Sequence, residues 1–414
     1  MYSALCKYSL AIEWYHEALG AGTDAGTDFD KMQTFYDLGD AYVYSGDYAK
    51  AIDYLEQALQ IQRSIDDCRS LVNASSLLNN LGVACIGMGD YRKAVSYLEQ
   101  SLHTARNIDG QSTENNDNSI ANTCNNLGEA FRSMGEYKKA IGYYEEALQI
   151  KRSVYGQNTA HHDIAKLHNN LGLAWGSLGD YRKAISYYEK ALKMDRSIYG
   201  QTSVHPEIAT LLTNLGGAWG ELNEKKKEIS YSEQSLLMLT SIHGVGTAHP
   251  AIATLLNNLG EASRNLGDLR KALRYHEQAL EMRKSIYGQT SKHPDIAVSL
   301  NNVGMVWGLR RDHRKAISYL EKALEINRSV YGESASHPDI ASSMSNLAEA
   351  WRKLGDLTKA LCYDEQALEM RKSIYGLTKH HGIAESLNNV GAIWSDLGDH
   401  RKAKGYCEEA LEID

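Results

Sequence analysis

Proline and phenylalanine are scarce, at 4 and 3 residues in 414, while tyrosine reaches 26. Several unrelated domains would not share that bias, whereas one unit copied many times would. The six cysteines (Cys6, Cys68, Cys85, Cys124, Cys362 and Cys407) show no CxxC spacing and no regular pairing. That argues against a disulfide framework and reads as reduced thiols of a cytosolic protein. No stretch approaches the roughly 18 apolar residues of a membrane span. The opening Met1-Tyr2-Ser3-Ala4-Leu5-Cys6-Lys7 lacks the charged and apolar regions of a signal peptide. A basic excess is missing too: the net charge is -8, which argues against nucleic acid as a partner. There is no P-loop, no GxGxxG after a strand, no GxSxG and no strand pattern to hold one. Neither enzymatic activity nor a cofactor is therefore expected, and membrane insertion is not.

What the chain does contain is a period. The string Asn-Asn-Leu-Gly recurs, whole or altered. It ends at Gly39, Gly82, Gly128, Gly172, Gly216, Gly260, Gly304, Ala348 and Gly391, so successive spacings are 43, 46, 44, 44, 44, 44, 44 and 43. Gly-Asp or Gly-Glu follows at Gly46, Gly89, Gly135, Gly179, Gly267, Gly355 and Gly398. A glycine between two apolar-periodic segments reads as the turn between two helices. Alanines come next, seven apart, as in Ala184 and Ala191 or Ala316 and Ala323. Small residues two helical turns apart let a neighbouring helix approach closely. Tyr-Gly then closes most units, at Tyr155-Gly156, Tyr199-Gly200, Tyr287-Gly288, Tyr331-Gly332 and Tyr375-Gly376. Glycine there is a C-cap signal. All four prolines (Pro206, Pro250, Pro294, Pro338) follow a histidine, where proline suits the first turn of a helix.

Each unit is thus a helix, a short turn, a second helix and a connector. A period near 44 would also suit HEAT or armadillo arrays. The residue pattern decides: Leu171-Gly172-x2-Trp175, then Ala184-x3-Tyr188, is the tetratricopeptide pattern in its own spacing. With its Leu-Asn-Asn-Leu and His-Pro-Asp strings, the stretch from about residue 32 to 414 resembles the long repeats of kinesin light chains and nephrocystin-3. The expected fold class is all-α, a right-handed α-solenoid (a superhelix of stacked antiparallel helix pairs, tetratricopeptide-like). Residues 1–31 read as a partial N-terminal repeat, its second helix and connector, with Ala11, Ala18 and Trp14-Tyr15 at the expected places. Residues 32–414 read as nine repeats starting near 32, 75, 121, 165, 209, 253, 297, 341 and 384. Because both ends break off mid-unit, the sequence reads as a piece of a longer protein.

The first helix of a unit carries two stripes. In the third, Ala121, Cys124, Leu127, Gly128 and Phe131 form the packing stripe, while Asn122, Asn126, Glu129 and Ser133 form a second. The resemblance implies that the second stripe lines a peptide-binding groove. The second asparagine of each pair makes a ladder there: Asn80, Asn126, Asn170, Asn214, Asn258, Asn302, Asn346 and Asn389. Asparagine is a poor helix-interior residue, but its amide offers the donor and acceptor that an extended backbone requires. The competing readings are that duplication copied it or that it bonds within the array. Arg132, Arg264 and Arg352 stand on the same stripe, three residues after Glu129, Glu261 and Glu349. They read either as local ion pairs or as planar forks for acidic or phosphorylated segments. Gly176, Gly220 and Gly308 hold the arginine position elsewhere and promise flat patches.

The connector histidines lie one per unit, so they do not converge on a metal, and His161, His162 and His168 lack HExxH spacing. Cys124 sits on the packing stripe, against a catalytic dyad. The fifth unit is degraded: Asn223-Glu224 replaces Gly-Asp, Glu228 and Ser235 replace the alanines, and Lys225-Lys226-Lys227 adds a charge run. Residues 221–243 are therefore expected to open readily, around an unpaired Glu228. The function expected is a cytoplasmic scaffold or adaptor for linear segments of other proteins, cytoskeletal or ciliary if the resemblance holds. The alternative is a sensor or oligomerisation arm of a larger signalling ATPase or enzyme.

Overall fold

The computed structural model describes residues 8, 10–17, 27–64, 70–107, 114–376 and 380–413. Cys6, Cys68 and Ala18 lie outside them. Every regular element among the described residues is a helix. The chain divides into two bodies, residues 1–203 and 204–414. The first holds α1 (residues 10–17) and four helix pairs: α2 (Asp28–Ser45) with α3 (Tyr48–Ser64), α4 (Ser70–Met88) with α5 (Tyr91–Arg106), α6 (Glu114–Ser133) with α7 (Tyr137–Tyr155), and α8 (His162–Ser177) with α9 (Tyr181–Tyr199). The second holds five: α10 (Pro206–Glu221) with α11 (Lys225–His243), α12 (Pro250–Asn265) with α13 (Leu269–Tyr287), α14 (Pro294–Leu309) with α15 (His313–Tyr331), α16 (Pro338–Leu354) with α17 (Leu357–Tyr375), and α18 (His381–Asp396) with α19 (His400–Ile413). Within each body consecutive pairs stack, as in an α-solenoid.

Local chemistry explains each junction. The turn glycine adopts the left-handed conformation, φ 88° at Gly179 and 85° at Gly267, which glycine reaches without a Cβ clash. The aspartate after it caps the next helix: Asp180 and Asp268 accept from the backbone N–H of Lys183 and Lys271. Two turns do without glycine, and there Asn223 (φ 61°) and Arg311 (φ 66°) take the left-handed position.

The connector histidines are caps. His293 Nδ1 accepts from the backbone N–H of Asp295 at 3.2 Å, and His337 does the same for Asp339. Each ring also stacks on the tyrosine that ends the preceding helix, 3.5 Å between centroids for Tyr287–His293 and Tyr331–His337. The tyrosine hydroxyls donate onward to Asp295 and Asp339 at 2.8 and 3.0 Å. No group of His, Cys, Asp and Glu that could hold a metal ion occurs among the described residues.

The two helices of a pair close on small residues. Ala184 and Ala191 are fully buried, and a Cβ on Gly172 would stand 2.4 Å from the Tyr188 ring. Leu171, beside that glycine, is fully buried, which is worth about 2 kcal/mol of apolar transfer. Within each body, polar pins then tie some pairs to the next. Lys151 Nζ donates to Asn118 and Asp163, Arg283 Nη1 to Ser299 Oγ, Asn327 Nδ2 to Ser343 Oγ, and Arg371 Nη1 to Ser386 Oγ.

The fifth pair corrects one expectation. Glu228 is not an unpaired charge: Lys225 Nζ lies 2.9 Å from its Oε2 and also donates to the Gly220 carbonyl. Ser235, in the alanine position, is fully buried and donates to the Ala209 carbonyl at 2.9 Å. The pair lies inside the second body, whose boundary falls ahead of it.

Candidate functional site

The stripe opposite the packing stripe of each first helix stays accessible, and its asparagines are joined to one another. Asn126 Nδ2 donates to Asn79 Oδ1 at 3.0 Å, Asn170 to Asn125 at 2.9 Å, Asn302 to Asn257 at 2.7 Å and Asn346 to Asn301 at 3.0 Å. In these four bonds the second position of the motif in one pair donates to the first asparagine of the pair before. In the first body the bonds run on within α4 and α6. Asn125 donates to Asn126 and Asn79 to Asn80, both at 3.3 Å, and Asn80 donates to the Asp40 carboxylate at 2.9 Å. The chain of amides from Asn170 thus ends on an anion, which polarises every donor in the same direction.

Asn214 is engaged too. Asn258 and Asn389 are not, among the described residues. The reason is visible in the sequence, since the residue each would donate to is Thr213 or Ser345 instead of asparagine. A bonded asparagine still keeps a second N–H and a second lone pair for a ligand. The first asparagines (Asn79, Asn125, Asn257, Asn301) escaped the sequence reading, because their partners lie 44 to 47 residues away.

The three arginines are held by their own helices. Arg132 Nε donates to Glu129 at 3.2 Å and its Nη2 also meets that carboxylate. Arg264 grips Glu261 in the same two-pronged way. Arg352 grips Glu349 and adds a 2.9 Å bond from Nη1 to Asp396 in the next pair. Tyr144 also donates to Glu129 at 3.1 Å, fixing that carboxylate from below. Nη1 of Arg132 and of Arg264 has no bond among the described residues.

The glycine positions differ among themselves. A Cβ on Gly220 would lie 2.7 Å from the Glu228 carboxyl carbon, so that patch is filled, contrary to the flat surface the sequence promised. At Gly176 the nearest atoms are Ala184 Cβ and the Tyr188 hydroxyl, at 3.8 and 3.9 Å. At Gly308 only Ala316 Cβ is near, at 3.8 Å, and the space above is open.

Burial also sets the protonation of the thiol and histidines in the interior. Burial pushes the Cys124 thiol up to about 12, so it stays protonated and unreactive. Burial likewise pulls His168 and His276 down to about 4. Cys85, Cys124, Cys362 and Cys407 are free thiols. No helix among the described residues is long and apolar enough to cross a membrane.

The sequence profile described as tetratricopeptide repeat matches residues 1–64, 119–197, 251–329, 295–373 and 339–414, and a second profile of that description matches 77–111. Among solved structures the chain is similar to the apo form of RapI, at 15 % identity over 92 % of this chain and 97 % of that one, TM-score 0.66. It is similar to the apo quorum sensor NprR of B. thuringiensis, at 13 % identity over 93 % and 99 %, TM-score 0.59. A signal transduction ATPase with numerous domains from Pyrococcus horikoshii, which carries a tetratricopeptide repeat sensor, matches at 14 % identity over 94 % of this chain and 53 % of that one, TM-score 0.59. At such identities the likeness is one of fold. No curated protein matches the sequence.

Proposed function

Because this chain belongs to the tetratricopeptide repeat family, we propose that it is a non-enzymatic scaffold that holds extended segments of partner proteins along its first-helix stripes. The observation that carries this reading is the ladder of half-buried amides, each with hydrogen-bonding capacity left over after the array is built. Asn258 and Asn389, which face Thr213 and Ser345, have the most capacity to give. Arg132 and Arg264 add an open Nη1 edge each for an acidic or phosphorylated group, and Arg352 has less to offer because Asp396 holds its Nη1. Many weak contacts along one ligand would supply affinity through effective concentration. We place the protein in the cytoplasm.

The test is proximity labelling in cells with two sets of variants. Asn126→Ala with Asn258→Ala alters the ladder stripe, and Glu325→Ala with Lys322→Ala alters the second-helix side. Partners lost with the first set and kept with the second support the reading, and the reverse pattern overturns it. The alternative, an arm of a larger signalling ATPase, requires a nucleotide-binding domain in the full-length transcript.

A further inference from the structure

The seventh pair differs from its neighbours at one place on the ladder side. In the sixth and eighth pairs a Glu–Arg couple covers the first helix, Glu261 with Arg264 and Glu349 with Arg352. In the seventh, Met305 and Gly308 hold those two positions. A cavity of about 580 Å³ opens as a result, within the usual range for ligand sites. Gly304, Gly308, Ala316 and Leu320 form its floor, all apolar, and Ala316 and Leu320 are buried. The fifth pair shows that glycine alone does not open such a space, since Glu228 fills the one beside Gly220.

The rim carries a second anomaly. Arg311 lines the cavity and stands where the other turns place glycine or asparagine, at φ 66°. A long side chain in that conformation is strained, and strain of this kind concentrates at functional positions. The guanidinium is exposed and makes no hydrogen bond or ion pair among the described residues. Arg264 and Lys353, also on the rim, are both paired with glutamates. His313, at the start of α15, lines the same cavity, and its Nδ1 is buried with no hydrogen-bond partner.

We infer that the seventh pair holds an anchoring subsite for a bulky apolar side chain lying next to a carboxylate. The side chain fills the space above Gly308, and Arg311 takes the carboxylate in its planar fork. This rests on the reading of the ladder face as a peptide-binding face. It assigns the anchoring cation to Arg311, ahead of the three arginines that glutamates already hold. The carboxylate is either an acidic side chain or the end of a chain.

The test uses the full chain and two variants, with a random octapeptide library presented both internally and with free C-termini. Arg311→Gly restores the glycine used at the other turns, so it should melt at the same temperature as wild type or a few degrees higher. Gly308→Phe fills the cavity. Wild type should enrich peptides with a bulky apolar residue beside Asp, Glu or the C-terminus. An enriched peptide, measured by fluorescence anisotropy, should bind Arg311→Gly about tenfold more weakly. Its counterpart with that carboxylate converted to an amide should bind both proteins alike. Amidating the terminus or replacing the acidic residue then tells which carboxylate is read. If enriched peptides bind Arg311→Gly as tightly as wild type, the subsite is wrong and the peptide-binding face stands. If wild type enriches nothing, both fall. Should Gly308→Phe lose its helical signal, Arg311→Gly decides alone.

Discussion

Asn302 donates from Nδ2 to Oδ1 of Asn257 across 2.7 Å, and the same oxygen lies 3.2 Å from Nδ1 of the buried His276. One amide oxygen therefore joins the sixth pair to the seventh and orients a histidine beneath both. A double-mutant cycle of Asn257→Ala and Asn302→Ala should give a coupling of about 1 kcal/mol, the net worth of a partly buried hydrogen bond. Thr213 and Asn258 occupy the matching places one pair earlier, with no such bond, and serve as the control. Equal coupling in the two cycles would mean that the amide bond adds nothing to the stack.

Two buried groups should tilt stability in opposite directions with pH. Burial, with the Arg264 and Arg283 cations nearby, holds His276 down to about 4 despite Glu261. Above the ~6.5 of an unfolded histidine neither state is charged. As pH falls from there toward 4 the unfolded chain takes the proton first, so stability is lost over that window. Asp364 is pushed up to about 7 by burial, outweighing Ser345, Arg371 and Arg352 around it. Below the ~3.9 of an unfolded aspartate both states are neutral. As pH rises from there to 7 the unfolded chain ionises first, so stability is again lost, and the loss is complete above 7. Leu320 occupies the equivalent place one pair earlier. Asp364→Leu should therefore stabilise the chain by about 3 kcal/mol at pH 8 and far less at pH 4. Guanidinium midpoints across that range measure it, and a gain independent of pH would show that only packing had changed.

How readily these features could be read from the sequence followed distance along the chain. The turns, caps and alanine pairs depend on residues next to one another, such as Gly179 with Asp180, and were legible. Glu228 and Lys225 are only three residues apart, a spacing legible as an ion pair, but the alanine at that place in other units pointed to a stranded charge. The amide bonds were not legible, because the acceptor for Asn302 is another asparagine 45 residues back. Nor was Arg311, since arginine gives no sign that it will stand in a left-handed conformation. The connector histidines recur one per unit, and their capping shows only once the tyrosine stacked on each is seen.

The second helix of the fifth pair should still be less protected than the matching helices on either side, for a changed reason. Its second helix buries only Ile229, Ser232 and Ser235, whereas α13 buries Ala272, Leu273, Tyr275, His276, Ala279, Leu280 and Arg283. Little apolar area holds α11 down, and local opening follows local burial. Hydrogen exchange should find lower protection across residues 221–243 than across 177–199 and 265–287. Lys225→Met should widen the gap by stranding Glu228, and adding Glu228→Ala should close it again. Equal protection in all three segments would make the fifth pair an ordinary member of the stack.

The asparagine bonds also give the array a grammar. A pair that carries both asparagines offers an acceptor to its successor and a donor to its predecessor, so two such pairs can be joined in one order only. A lapse such as Thr213 silences a single link and leaves the next, from Asn302 to Asn257, intact. An array written this way tolerates the gain or loss of a whole pair, because every junction asks the same question of its neighbour. An insertion of any other length changes who faces whom along the ladder. Lineages of such chains should therefore differ in length by whole units and in ligand preference by the few units, like the seventh, that depart from the common spelling.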